Sequence, residues 1–174
     1  MESVHKVMLL GDIGVGKTSL VRRLVFEKFE HDYKATIGVD VYTNTLEIDG
    51  DEDAGDTIAV KQLIWDIDGD FGESIFTQIY IKGATAALII GDCSRRATLA
   101  SVITLAEAFQ DQFPGRPVAL VANKTDLVAE EELAAQIASL GVLHLPVFRT
   151  SAKRGTNVRS CFESLARWAH ERGL

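Results

Sequence analysis

Residues 11–18 read Gly11-Asp12-Ile13-Gly14-Val15-Gly16-Lys17-Thr18, with Ser19 next, a Gly-x-x-x-x-Gly-Lys-Thr stretch. A run of backbone N–H groups must wrap an anion here, and glycine is needed wherever a Cβ would block the approach. Lys17 supplies a point charge for the outer groups of a phosphate chain. Thr18 supplies a hydroxyl for Mg²⁺. Before the loop, His5-Lys6-Val7-Met8-Leu9-Leu10 is short, apolar and strand-like. After it, residues 19–25 place Leu20, Val21, Leu24 and Val25 on one helical face. Strand, loop and helix is the context that a phosphate loop requires, and the helix turns its positive end to the same anion. By itself the loop does not separate ATP from GTP, or binding from hydrolysis.

A second stretch addresses the base. The apolar strand Ala119-Leu120-Val121-Ala122 runs into Asn123-Lys124-Thr125-Asp126. A carboxylate such as Asp126 accepts two hydrogen bonds at once from the N1–H and N2–H₂ of guanine, and adenine offers no such pair of donors on that edge. A buried carboxylate left unpaired is costly, so the site discriminates strongly. Asn123 can tie the loop together or meet the purine, and the aliphatic stem of Lys124 can lie on the ring. Thr150-Ser151-Ala152-Lys153 follows the strand Val147-Phe148-Arg149, and the backbone N–H of Ala152 can meet the guanine oxygen.

These stretches, with Thr36-Ile37-Gly38-Val39-Asp40 and Trp65-Asp66-x-x-Gly69, carry a resemblance. The chain resembles a small GTPase of the Ras superfamily, most closely its Rab branch, over roughly residues 4–172. Five motifs in the family's order and at nearly its spacing are far more specific than any one. The resemblance implies GTP or GDP bound with Mg²⁺ and GTP hydrolysed to GDP and phosphate. It implies that Thr18, Thr36 and Asp66 serve the metal, Asp66 through water. The Thr36 and Gly69 N–H groups would meet the γ-phosphate, so that losing this phosphate loosens both segments. Phe29 matches the aromatic that packs on the base, and Tyr33 the one that covers the phosphates. The implied catalytic set is Lys17, Thr36, Gly69 and the residue at 70. Effectors and regulators would engage segments 30–42 and 67–82.

The chain also departs from the family. Where the family reads Trp-Asp-Thr-Ala-Gly-Gln, this chain reads Trp65-Asp66-Ile67-Asp68-Gly69-Asp70. Asp70 replaces the glutamine that orients the attacking water. A carboxylate only accepts hydrogen bonds, and it brings negative charge to an already anionic transition state. Ile13 replaces a small residue of the phosphate loop and crowds the space for that glutamine and for an incoming arginine finger. The finger is worth roughly 10³–10⁵ in rate, a range measured on this superfamily itself. Slow intrinsic hydrolysis without glutamine-dependent activation is therefore expected; the counter-reading is that Asp70 acts as a base or that a partner supplies the missing group in trans. A non-cycling GTP-loaded scaffold with negligible turnover is the alternative function. An ATPase or small-molecule kinase is argued against by Asp126.

The acidic run Asp49-Gly50-Asp51-Glu52-Asp53-Ala54-Gly55-Asp56 superficially resembles a calcium loop. Ala54 stands where the turn needs glycine and Val60 where the bidentate Glu belongs, so a solvated hairpin tip is expected. Cys93 and Cys161 read as core thiols, which suits a reducing cytoplasm, and the four histidines show no metal-ligand spacing. A net charge of −7 argues against nucleic acid or an anionic membrane as partner. No apolar run is long enough to span a membrane, and the sequence shows neither a cysteine-ended tail nor a Gly after Met1, so either a soluble protein or a lipidated tail lying outside this sequence is expected.

At 174 residues, 47% of them hydrophobic, one nucleotide-binding domain over 1–174 is expected, as a monomer. Strands are expected at 5–10, 38–48, 57–66, 86–91, 117–122 and 145–150. Helices are expected at 19–25, 97–112, 130–140 and 156–171, with a helical turn near 73–82. The fold class is α/β: a P-loop three-layer sandwich, its six-stranded, mostly parallel sheet covered by helices on both faces. The strands 38–48 and 57–66 form an antiparallel hairpin. The nucleotide motifs then fall at the carboxyl ends of strands, where such sheets bind ligands.

Overall fold

A computed structural model describes residues 3–32, 34–50, 57–67, 69, 79–141 and 144–174. Its strands are β1 (Ser3–Leu10), β2 (Val39–Asp49), β3 (Thr57–Ile67), β4 (Ala86–Asp92), β5 (Val118–Asn123) and β6 (Val147–Arg149). Its α-helices are α1 (Lys17–Phe26), α2 (Arg96–Gln112), α3 (Glu130–Ser139) and α4 (Val158–Glu171). The sheet order is β2-β3-β1-β4-β5-β6. Within the described strands, the β2–β3 pair is antiparallel, from Val39 opposite Ile67 to Asp49 opposite Thr57, and the other pairs are parallel. The expected α/β class and hairpin are both present.

Strand periodicity distributes the core. In β1 and β4, Val7, Leu9, Leu88 and Ile90 point to one face of the sheet, and Met8, Leu10, Ala87 and Ile89 to the other. The first face is closed by α1 and α4 through Leu20, Val21, Leu24, Cys161, Phe162 and Leu165. The second is closed by α2 through Val102, Leu105, Ala106 and Phe109. A smaller cluster packs Leu133 of α3 on Leu99, Cys93 and Ala122. Burial on both faces is why β4 and β5 are apolar almost without interruption. Both thiols are buried, as expected, and burial pushes Cys93 up to about 11 and Cys161 up to about 12.

The helix boundaries differ slightly from the sequence pattern. α1 begins at Lys17 rather than Ser19, because Gly16 at its N-cap takes φ 103°, which releases the chain into the helix at once. α4 begins at Val158 rather than at 156, behind Asn157 in the left-handed region at φ 53°. β6 is confined to Val147–Arg149. Of the turn expected near 73–82, only the 3₁₀ segment Ile79–Ile81 lies within the described residues. The acidic tip at 51–56 lies outside them.

Candidate functional site

The carboxyl ends of β1, β3, β5 and β6 open into a cleft of about 700 Å³. Its lining includes Ile13, Gly14, Gly16, Lys17, Thr18 and Ser19 from the loop after β1. Phe29 and Thr36 come from the segment before β2, and Gly69 from just after β3. Asn123, Lys124, Asp126, Ala152 and Lys153 complete it from the loops after β5 and β6. Residues more than 130 positions apart thus share one cleft, assembled by the strand order. Asp12, Val15 and Ser151 do not line it with side chains; Val15 and Ser151 are wholly buried behind it. Tyr33, Asp68 and Asp70 lie outside the described residues.

Close approach explains two of the glycines, a side chain at one and backbone at the other. A Cβ on Gly16 would stand 2.4 Å from Asn123 Nδ2, and one on Gly69 would stand 2.4 Å from the backbone N of Ile13. Asn123 at the end of β5 and Lys124 just after it hold the phosphate loop from behind. Lys124 Nζ donates to Gly14 O at 2.7 Å, and Asn123 Nδ2 donates to Val15 O at 3.0 Å. Of the two roles open to Asn123, tying the loop is therefore the one its geometry serves. Lys124 itself is left-handed at φ 64°, on the turn between β5 and the 3₁₀ segment Thr125–Leu127. Its ammonium also pairs with the buried Asp92 at 2.7 Å. Lys17 is buried along the loop and donates to Gly11 O at 2.8 Å and Asp12 O at 3.0 Å.

The three predicted metal residues converge. Thr18 Oγ1 lies 2.7 Å from Thr36 Oγ1 and donates to Asp66 Oδ2 at 2.5 Å. Asp66 is fully buried at the end of β3, and its Oδ1 finds no hydrogen-bond partner among the described residues. Burial raises the Asp66 carboxyl above its ordinary value; the Thr18 hydroxyl and the Lys17 charge act against that rise. A buried carboxylate oxygen without a donor, beside two hydroxyls, suits a hard cation with oxygen ligands. Among the described residues no cluster of three or more His, Cys, Asp or Glu could hold a metal alone. That composition fits Mg²⁺, which keeps waters and takes further oxygens from substrate phosphates.

At the other end of the cleft, Ser151 Oγ donates to Asp126 Oδ1 at 2.5 Å and fixes the carboxylate. Asn123 Oδ1 accepts from Thr150 Oγ1 at 3.0 Å and from the Ala152 N–H at 3.3 Å. The Ala152 N–H expected to meet the guanine oxygen is thus occupied in this structure by a long bond within the protein. Phe29 lines the cleft, packs partly on the core and meets His31 edge-on with ring centroids 5.3 Å apart.

Arg23 and Asp92 escaped the sequence reading, and Thr150 stands in it only as part of a motif, without a role. Arg23 of α1 donates from Nε to Ala152 O and from Nη2 to Lys153 O, each at 2.7 Å, and so fixes the loop after β6. Thr150 holds Asn123, and Asp92 holds Lys124. Only Asp92 left a signal, an acid closing an otherwise wholly apolar strand.

A Ras family profile matches residues 6–171. The chain is 32% identical to the Ypt/Rab-type GTPase YPT7 of Saccharomyces cerevisiae, over 97% of this chain and 82% of that protein. It is 36% identical to the human Ras-related protein Rab-25, over 93% of this chain and 74% of that one. The Ras-related protein RABG3c of Arabidopsis thaliana is 34% identical, over 93% and 80% respectively. No helix among the described residues is long and apolar enough to cross a membrane.

Proposed function

This chain belongs to the Ras family of small GTPases and is Rab-like within it, and from that footing we propose a guanine-nucleotide switch with slow turnover. The observation that carries the proposal is the convergence in one cleft of a phosphate loop, a hydroxyl–carboxylate cluster and a carboxylate fixed for a purine edge. The chain is read as one nucleotide-binding domain over 1–174, since a single sheet supports every motif.

The N–H groups of the loop and the Lys17 ammonium would bind the phosphate chain, with Ser19 beside them at the start of α1. Asp126, oriented by Ser151, would select guanine, with the stem of Lys124 and the Phe29 ring against the base. Thr18, Thr36 and Asp66 would hold Mg²⁺, which neutralises phosphate charge when bound. Thr36 and Gly69 would report on the γ-phosphate from two separate segments, 30–42 and 67–82. Those segments are the proposed surface for effectors and regulators.

Slow hydrolysis rests on two residues. The Ile13 side chain lines the cleft and is 42% exposed there, and Gly69 packs against the backbone of Asp12 and Ile13. A β-branched chain at that junction occupies the approach of a water-positioning group. Asp70 follows in sequence and supplies charge where an amide would donate. Single-turnover GTP hydrolysis by the wild type, Ile13→Gly, Asp70→Gln and the double variant tests this. The expected result is a slow wild type and a double variant about tenfold or more faster. A fast wild type, slowed further by Asp70→Gln, would show that Asp70 is the base and overturn the reading.

A further inference from the structure

The loop between β4 and α2 contributes a residue that no nucleotide motif contains. Arg95 Nη2 donates to the carbonyl of Ile13 at 2.8 Å, while its Nε pairs with Asp92 Oδ2 at 3.0 Å. The same carboxylate oxygen takes the Lys124 ammonium at 2.7 Å. Asp92 Oδ1 accepts from both the N–H and the hydroxyl of Ser94, which closes the turn on which Arg95 stands. Thr98 tightens that turn further, accepting from the Asp92 N–H and donating to Arg95 O. Burial would push the Asp92 carboxyl up, but the bonds from Lys124, Ser94 and Arg95 outweigh it and hold the group below its ordinary value. Asp92 is thus an anionic hub with two cationic arms.

Three consecutive carbonyls of the phosphate loop are therefore taken from outside. Ile13 O goes to Arg95, Gly14 O to Lys124 and Val15 O to Asn123. In a trans peptide the C=O and the following N–H point in opposite directions, and no peptide bond here is cis. Drawing these carbonyls outward turns the N–H groups of Gly14, Val15 and Gly16 the other way, into the anion site. Lys124 and Asn123 belong to a motif already read as nucleotide-binding; Arg95 does not.

We propose that Arg95 is a positioning residue of the nucleotide site, holding the Ile13 carbonyl from behind so that the Gly14 N–H presents itself to the outer phosphates. The inference rests on the guanine-nucleotide reading of the cleft. It also gives this loop a support suited to its bulky residue, since the clasp fixes the backbone on which the Ile13 side chain is carried.

The test is the release rate of a fluorescent GDP in Mg²⁺ for the wild type, Arg95→Ala and Arg96→Ala. Competition by GDP and by guanosine monophosphate, which lacks the outer phosphates, accompanies it. Arg96 is the control, because its guanidinium faces Glu132 on α3. Arg95→Ala should release GDP about fivefold faster, the scale of one lost hydrogen bond at a half-exposed group. Arg96→Ala should match the wild type. The loss should appear with GDP and be absent with the monophosphate, a split that general loosening of the fold would not produce. Unchanged release from Arg95→Ala, or equal loss for both nucleotides, would overturn the clasp while leaving the functional reading standing. A wild type that binds no guanine nucleotide would overturn the functional reading and the clasp with it.

Discussion

At the scale of single residues, chemistry in the cleft depends on groups whose orientation is fixed by a neighbour rather than by their own backbone. Asp126 is the clearest case. Its carboxylate meets the Ser151 hydroxyl at 2.5 Å, and the Ser151 oxygen in turn accepts the Arg154 N–H at 3.1 Å. A carboxylate held in this way keeps its oxygens aimed without losing rotamer freedom when a base arrives. Ser151→Ala leaves that carboxylate free to turn, and GDP affinity should fall about tenfold, the value of one charge-assisted hydrogen bond. Titration calorimetry of the variant against GDP reads the loss, and undiminished affinity would remove Ser151 from the site. Asp66 shows the same logic from the opposite side. It is buried with one oxygen satisfied by Thr18 and the other without a donor among the described residues. That imbalance is what makes it a candidate for a cation rather than a structural acid.

At the scale of elements, the sequence was most legible where periodicity and burial agree. The strands β1, β4 and β5 are readable as short apolar runs buried on both faces, and the stripe of α4 as a repeat at the helical period. The motifs were readable because phosphate and purine chemistry requires particular residue types close together in the chain. What escaped were the bonds between loops. Arg23 reaches carbonyls 129 and 130 positions away, and Asp92 meets Lys124 only because β4 and β5 are neighbours. Nothing local in an arginine on a helix face marks it for a distant carbonyl. Its effect should be measurable: Arg23→Ala frees the loop after β6 from α1 and should cost about 1–2 kcal/mol. For a chain of this length that lowers the melting temperature by about 3–6 °C. A thermal scan in saturating nucleotide checks it, and an unchanged midpoint would show that the loop is held by other contacts.

At the scale of the whole molecule, the two layers of helix meet the sheet without polar groups except at a few positions, and His5 is one of them. It lies fully buried in β1, with Nε2 at 2.9 Å from Ser3 Oγ and Nδ1 without a partner among the described residues. Burial lowers its pKa from the ordinary 6.5; the Leu174 backbone opposes the shift and nearby His170 on α4 adds to it. The folded protein therefore binds this proton less readily than the unfolded chain does. The resulting stability is present above about pH 6.5 and is lost as pH falls through the lowered folded value. Melting temperatures measured from about pH 7.5 to about pH 5.5 should fall more steeply for the wild type than for His5→Leu, and parallel curves would contradict this. Sheet, helices and loops meet at one cleft, and which purine that cleft takes decides what the protein can do. Titration calorimetry with Mg²⁺ present, comparing GDP with ADP on nucleotide-stripped protein, tests it most directly. Tight GDP binding with no measurable ADP binding is expected; equal affinity for the two nucleotides would overturn the guanine-selective site.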